Sequence, residues 1–180
     1  MADREWISSS AAYLAPPKDP GREAWSAELE RRGRRGSQRI VQAGEVPSPA
    51  EAAALLGLAV GESVVVRRRV MFVEERPCEL TDTYYPVRIA RGTGLASTAK
   101  IRGGAVRLLA ELGHTGVRVV EDVTARLPTD KEQNTLLLTP DQPVLTIARV
   151  TFDDEGAPVQ ADLMTMPAHL QRLRYETRIG

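Results

Sequence analysis

Residues 48–80 read SPAEAAALLGLAVGESVVVRRRVMFVEERPCEL, and residues 129–161, TDKEQNTLLLTPDQPVLTIARVTFDDEGAPVQA, follow the same pattern. Each opens with a hydroxyl residue three places before a glutamate, Ser48 with Glu51 and Thr129 with Glu132, the spacing of a capping box. Each then crosses a short helix to a leucine pair, Leu55–Leu56 or Leu136–Leu137, and enters a strand ending Arg-Val-Xaa-Phe, at Arg69–Phe72 or Arg149–Phe152. An acidic turn follows (Glu74–Glu75; Asp153–Asp154–Glu155–Gly156), then a proline and a second strand. Two copies are too few for a solenoid, so two hairpins sharing one sheet is the expected arrangement. Around them, SQRIVQAGEV (37–46) and TGVRVVEDVTARLP (115–128) read as strands, and RGGAVRLLAELG (102–113) as a helix entered through two glycines. The predicted class is α+β, a mostly antiparallel sheet of about six strands with helices packed on one face. Residues 1–20, with a serine run and three prolines, read as an irregular arm, and residues 21–180 as the folded domain. Within that domain PGREAWSAELERRG is a helix stopped by Gly33.

The three arginines of VVVRRRVMF (64–72) sit inside a run that otherwise reads as a buried strand. Strand residues alternate faces. Val64, Val66, Arg68, Val70 and Phe72 therefore share one face, and Val65, Arg67, Arg69 and Met71 the other. The second copy puts Val150 and Phe152 on the helix-packed face, and Leu145, Ile147, Arg149 and Thr151 opposite. Arg67, Arg69 and Arg149 then gather among aliphatic side chains. One account is a partly desolvated cleft that grips a carboxylate or phosphate bidentately. The other is a face of arginine stems that reach water or pair with acids such as Glu121 and Asp122. Arg68 is expected to snorkel or to pair with a helix carboxylate. Gly103 and Gly104 add a second anion-favouring feature, a glycine pair at a helix start where backbone N–H groups are free.

Composition narrows the function. Lys plus Arg and Asp plus Glu are 24 each, so the chain lacks the basic excess of a dedicated nucleic-acid binder. Cys78 is the single cysteine, which excludes an internal disulfide and suits a reducing compartment. No stretch approaches 18 apolar residues, the length of a membrane span. His114 and His169 have no acid or nucleophile at motif spacing, and no Cys/His metal spacing occurs. No catalytic residue, metal or cofactor is expected.

Six blocks, EAWSAELERRGRRGSQRI, VPSPAEAAALLGL, VVVRRRVMFVEERPCELTDTYYPVRIARGT, KIRGGAVRLLAELG, EDVTARLPTDKE and VLTIARVTFDDEGAPVQ, together resemble the UTRA effector-binding domain of HutC-type regulators in the GntR transcription-factor family, in its actinobacterial branch. The resemblance runs from about residue 20 to residue 176. It implies a chorismate-lyase-like fold with a small-molecule pocket on the sheet, a homodimer, and an effector that is a sugar phosphate or other small anionic metabolite. It carries pocket roles to Ser26, Arg69 and Gly104. Met71 stands where many members have a second strand arginine, Thr81 where they have glutamate, and Gln160 where glutamate is common. Arg67 is the residue that could supply the missing charge.

The expected function is a cytoplasmic sensor domain of a GntR/HutC-type regulator, with Ser26, Arg67, Arg69, Thr81, Gly103, Gly104, Arg149 and Gln160 around the ligand. Residues 1–20 are too few for a winged helix. The start of the chain resembles stand-alone members, so direct DNA contact is expected from another regulator chain, or else from the rest of a longer regulator of which this is one domain, with no membrane partner. The alternatives are a ligand-free dimerisation module that titrates full-length regulators, or a chorismate-lyase-like enzyme.

Overall fold

A computed structural model describes Trp6–Ser8, Trp25, Leu29, Glu30 and residues 33–176. The chain runs β1 (Trp6–Ser8), β2 (Gly36–Pro47), α1 (Ala50–Leu56), β3 (Ser63–Val73), β4 (Arg76–Pro86) and α2 (Val87–Ala90). A 3-10 turn (Gly94–Ala96) leads to α3 (Gly104–Glu111). Then come β5 (Arg118–Arg126), α4 (Asp130–Leu136), β6 (Val144–Phe152), β7 (Pro158–Pro167) and β8 (Gln171–Leu173).

Six strands form one sheet in the order β2-β3-β4-β7-β6-β5, antiparallel at every step. The near-repeat is the reason for this order. Each unit is strand–helix–strand–strand, β2-α1-β3-β4 and β5-α4-β6-β7, and the two meet at β4 and β7, where Asp82 faces Leu163. Even the irregularities repeat: the register slips between Met71 and Phe72 in the first hairpin and between Thr151 and Phe152 in the second.

The repeat helices cover one face. Ala52 and Leu56 of α1 pack on Val64, Val66, Tyr84 and Ala161. From α4, Leu136 packs with Leu138 and Val144 against Leu80. One end of the opposite face is roofed by Ile89, Ala90, Leu95 and Leu109, which enclose Val65, Tyr85 and Val159. Its other end carries Trp25 and Leu29 over Met71, Val73 and Cys78, with the indole Nε1 donating to the Phe72 carbonyl at 3.1 Å. Gly36 makes this contact possible, since a Cβ there would lie 2.4 Å from Leu29 Cδ1. Burying these aliphatic side chains contributes roughly 25 cal/mol per Å² of apolar surface removed from water, so the helices are held by packing more than by propensity.

The two predicted capping boxes part company. Thr129 accepts from the Glu132 backbone N–H while the Glu132 carboxylate accepts from that of Thr129. In α1 the N-cap is Pro49 and no side chain caps the helix. The proline moves the helix start one residue on, so Ser48 falls outside it and instead donates to the Ala59 carbonyl at 3.2 Å. Within the residues read as an irregular arm, Trp6–Ser8 form β1, which pairs parallel with β8; the rest of that segment lies outside the described residues. Trp25, Leu29 and Glu30 are helical, and Gly33, at φ 69°, ends that helix as expected.

Candidate functional site

The alternation that separates the faces places Arg67 opposite Thr83, Arg69 opposite Thr81, and Arg149 opposite Asp162 across neighbouring strands. These pairs lie on the face away from α1 and α4. Glu79, Thr81 and Thr83 alternate along β4, as do Gln160 and Asp162 along β7, so the centre of this face is polar.

The three arginines have three different fates. Arg67 is buried, and its guanidinium turns into the segment after the 3-10 turn. Nη1 donates to the carbonyls of Gly94 at 3.1 Å and of Ser97, and Nη2 to that of Ala99 at 3.3 Å. It pins the loop that roofs one end of the face. Arg149, also buried, donates from Nε to Glu121 at 2.5 Å and leaves Nη1 4.0 Å from Asp162. For Arg149 the ion-paired account of the arginine face, which named Glu121, is the geometry found.

Arg69 is different. Its Nη2 donates to the Thr83 hydroxyl at 2.8 Å, and that hydroxyl donates to Asp162 Oδ1 at 2.7 Å. Its Nε is buried without a hydrogen-bond partner. An unpaired buried donor costs about 1–3 kcal/mol, so this edge of the guanidinium favours an acceptor brought from outside. The surrounding polar groups are already in order. Gln160 donates to Asp162 Oδ2 at 2.8 Å, and Thr81 donates to Glu79 at 2.5 Å. Burial pushes the Glu79 carboxyl up from its ordinary range, against the opposing pull of the Thr81 hydrogen bond and of Arg69 and Arg149. Burial likewise pushes the Tyr85 phenol upward.

Of the eight residues expected at the site, Arg69, Thr81, Arg149 and Gln160 come together on the sheet. Arg67 shares their face, with its guanidinium engaged by the loop. Gly103 and Gly104 begin α3, both at positive φ. The Gly104 N–H is engaged, donating to the Ile101 carbonyl at 3.0 Å. A Cβ at Gly103 would meet Arg107 Cδ at 2.6 Å, so packing and backbone conformation account for glycine there. Ser26 lies outside the described residues. Glu79, Thr83 and Asp162 were missed, although alternation from Thr81 and Gln160 points to each of them. Arg68, expected to snorkel or to pair with a helix carboxylate, has a strand partner instead. It faces Asp82 across β3–β4, with Nε 3.0 Å from Oδ2, because directly opposed residues on a pleat are closer than any helix side chain. A cavity of about 300 Å³ lies on the helix face, lined by Glu51, Leu55, Asp122, Thr124 and Thr146 among others, and is separate from the arginine cluster. Among the described residues no three His, Cys, Asp or Glu side chains gather to hold a metal.

A family model described as the UTRA domain matches residues 31–172. The chain belongs to the UTRA domain family. It is 27% identical over 132 residues to an uncharacterized HTH-type transcriptional regulator of Streptomyces coelicolor, covering 72% of this chain and 49% of that one. The chain thus spans about half the length of that curated relative. A crystal structure of a GntR-family transcriptional regulator superposes with a TM-score of 0.82 at 21% identity, over 98% of this chain and 71% of the other. The ligand-binding domain of a GntR-family regulator from Bordetella bronchiseptica gives a TM-score of 0.66 at 25% identity, over 79% and 91%. The relatives of this UTRA domain are GntR-family transcriptional regulators, and its mostly antiparallel six-stranded sheet is the chorismate-lyase-like fold that the resemblance implied. No helix among the described residues is long and apolar enough to cross a membrane.

Proposed function

We propose that this UTRA domain is the effector sensor of a GntR-family regulator, cytoplasmic and homodimeric, and that it takes a small anionic metabolite at Arg69. The observation that carries this reading is the buried, unpartnered Arg69 Nε beside a fully organised polar floor of Thr81, Thr83, Gln160 and Asp162. A guanidinium with one edge committed and one edge open fits a carboxylate or a phosphate oxygen. Arg149 adds positive potential while held by Glu121. Glu79 and Thr81 offer polar contacts for hydroxyl groups of the ligand. Ser26, Gly103 and Gly104 complete the proposed lining. Ligand binding changes transcription by favouring one arrangement of the regulator over another, since a ligand with equal affinity for both shifts nothing. DNA contact falls to a winged helix in another chain or segment. The relatives being regulators, no reaction is assigned.

A second reading draws on the same cluster. Among the described residues of this face, the three cations Arg67, Arg69 and Arg149 are matched in number by the three acidic residues Glu79, Glu121 and Asp162, a balance that suits a ligand-free dimerisation module. A thermal-shift screen of the wild type and Arg69→Ala against sugar phosphates and small carboxylates separates the two. A ligand at a hundredfold excess over its Kd stabilises by about 2.7 kcal/mol, a shift of several degrees for one domain. A hit absent in Arg69→Ala supports the sensor. No hit across both classes, or a hit unchanged in Arg69→Ala, removes it.

A further inference from the structure

Polar atoms buried without a partner are rare in folded proteins, and each calls for an explanation. Among the described residues three side-chain atoms are in that state: Arg68 Nε, Arg69 Nε and Gln171 Oε1. The Asp82 carboxylate, 3.0 Å away, compensates the first by charge. The other two are complementary, one donor and one acceptor, and both belong to the arginine face. Gln171 is 4% exposed and opens β8, where it pairs with Trp6 of β1. β8 lies over the arginine face, because its Leu173 packs against Ile147, Met164 and Met166, and Ile147 points the same way as Arg149. Gln171, two residues before Leu173, projects to that face by alternation. Its Nε2 donates to the Cys78 carbonyl at 3.2 Å, which fixes the amide and makes Oε1 the end left over.

We propose that Gln171 is a specificity-determining residue of the effector site, its Oε1 accepting an N–H or O–H group from the same molecule whose anionic end lies at Arg69. This rests on the sensor reading and adds a second point of recognition to it. The effector is then bipolar, an anion at one end and a hydrogen-bond donor at the other. The sheet spaces the two points. Cys78, which holds the Gln171 amide, is three residues before Thr81 on β4, and Thr81 lies opposite Arg69. Three strand residues span about 10 Å, the scale of a six-carbon metabolite. Glu79 and Thr81, between the two points, are already bonded to one another, which leaves Gln171 as the acceptor in need of a partner. An anion with an apolar far end would satisfy Arg69 and strand Gln171, and a site with a buried polar group left unmet rejects such a molecule.

The test compares matched anions by NMR titration of the whole chain: 6-hydroxyhexanoate and 6-aminohexanoate against hexanoate, and glycerol 3-phosphate against ethyl phosphate. The wild type is expected to bind a donor-bearing member of at least one set about tenfold more tightly than its apolar counterpart. Gln171→Met is expected to abolish that preference while the apolar counterpart binds as before. Gln171→Glu, which keeps an acceptor oxygen, is expected to retain it. The hydroxy and amino acids tell a hydroxyl donor from an ammonium. No preference in the wild type, or a preference that survives Gln171→Met, overturns the role of Gln171 and leaves the anion site at Arg69 standing. Equal loss of every anion in Gln171→Met makes the residue a packing element and overturns the role as well. Binding of none of these anions, or binding indifferent to Arg69→Ala, overturns the sensor reading together with this one.

Discussion

Arg69 reaches Asp162 only through the Thr83 hydroxyl, accepting no closer approach than two hydrogen bonds of 2.8 and 2.7 Å in series. The interposed hydroxyl separates the two charges, and the Arg69 Nε, on another edge of the guanidinium, has no hydrogen-bond partner. A direct pair would have closed the site; the relay positions a cation and leaves one edge of it available.

Arg69→Ala should therefore cost the ligand-free protein less than about 1 kcal/mol, because it removes one hydrogen bond together with an unsatisfied donor. Urea unfolding measures this. A loss of several kcal/mol would place Arg69 in the structural framework.

Arg67→Met should do the opposite. It removes the hydrogen bonds that the carbonyls of Gly94, Ser97 and Ala99 accept from a buried guanidinium, each charge-assisted bond contributing about 1.5–3 kcal/mol. Unfolding midpoints should drop sharply, and amide exchange in residues 94–101 should accelerate. A variant as stable as wild type would mean that the loop is held by its apolar contacts alone.

The pattern of what the sequence discloses has a physical basis. The near-repeat specified the hairpins, and period-two alternation put Arg67, Arg69 and Arg149 on one face, because a one-residue slip would bury the wrong side of every strand. Alternation says nothing about where a long side chain ends. Arg67 and Arg69 are equivalent by spacing, yet one closes on loop carbonyls 27 to 32 places away and the other on Thr83, 14 places away. The Ser48 box failed for a local reason, the proline beside it. Ser26, a residue carried by family resemblance, lies outside the described part of the chain.

Glu79 sets a pH dependence. Its carboxyl is raised in the folded chain, chiefly by burial, so the protonated form suits the fold. The associated stability is present below the unfolded value of 4.5 and is lost as pH rises through the folded value. Glu79→Gln should accordingly raise Tm near neutral pH and change little at about pH 4. Thermal melts across that range decide it; destabilisation at every pH would show that the ionised carboxylate supports the fold.

Glu132 carries the opposite sign. The Arg126 guanidinium, followed by the Thr129 backbone, holds its carboxyl down at about 2, against 4.5 unperturbed. Its contribution is complete above 4.5 and lost as pH falls toward 2. Glu132→Gln should cost about 1–3 kcal/mol at neutral pH and flatten the acid limb of the stability curve. An acid limb as steep as that of the wild type would assign acid unfolding to other carboxylates.

The central claim concerns one nitrogen. The side-chain Nε–Hε resonance of Arg69, identified by its disappearance in Arg69→Lys, can be followed by NMR while inorganic phosphate and succinate, the simplest members of the two anion classes, are added separately. A downfield shift of that proton in a saturable titration with either anion, with the Arg67 resonance unmoved, is the predicted result. An Arg69 resonance indifferent to both anions, or a saturable response carried by Arg67 or Arg149 alone, would contradict it.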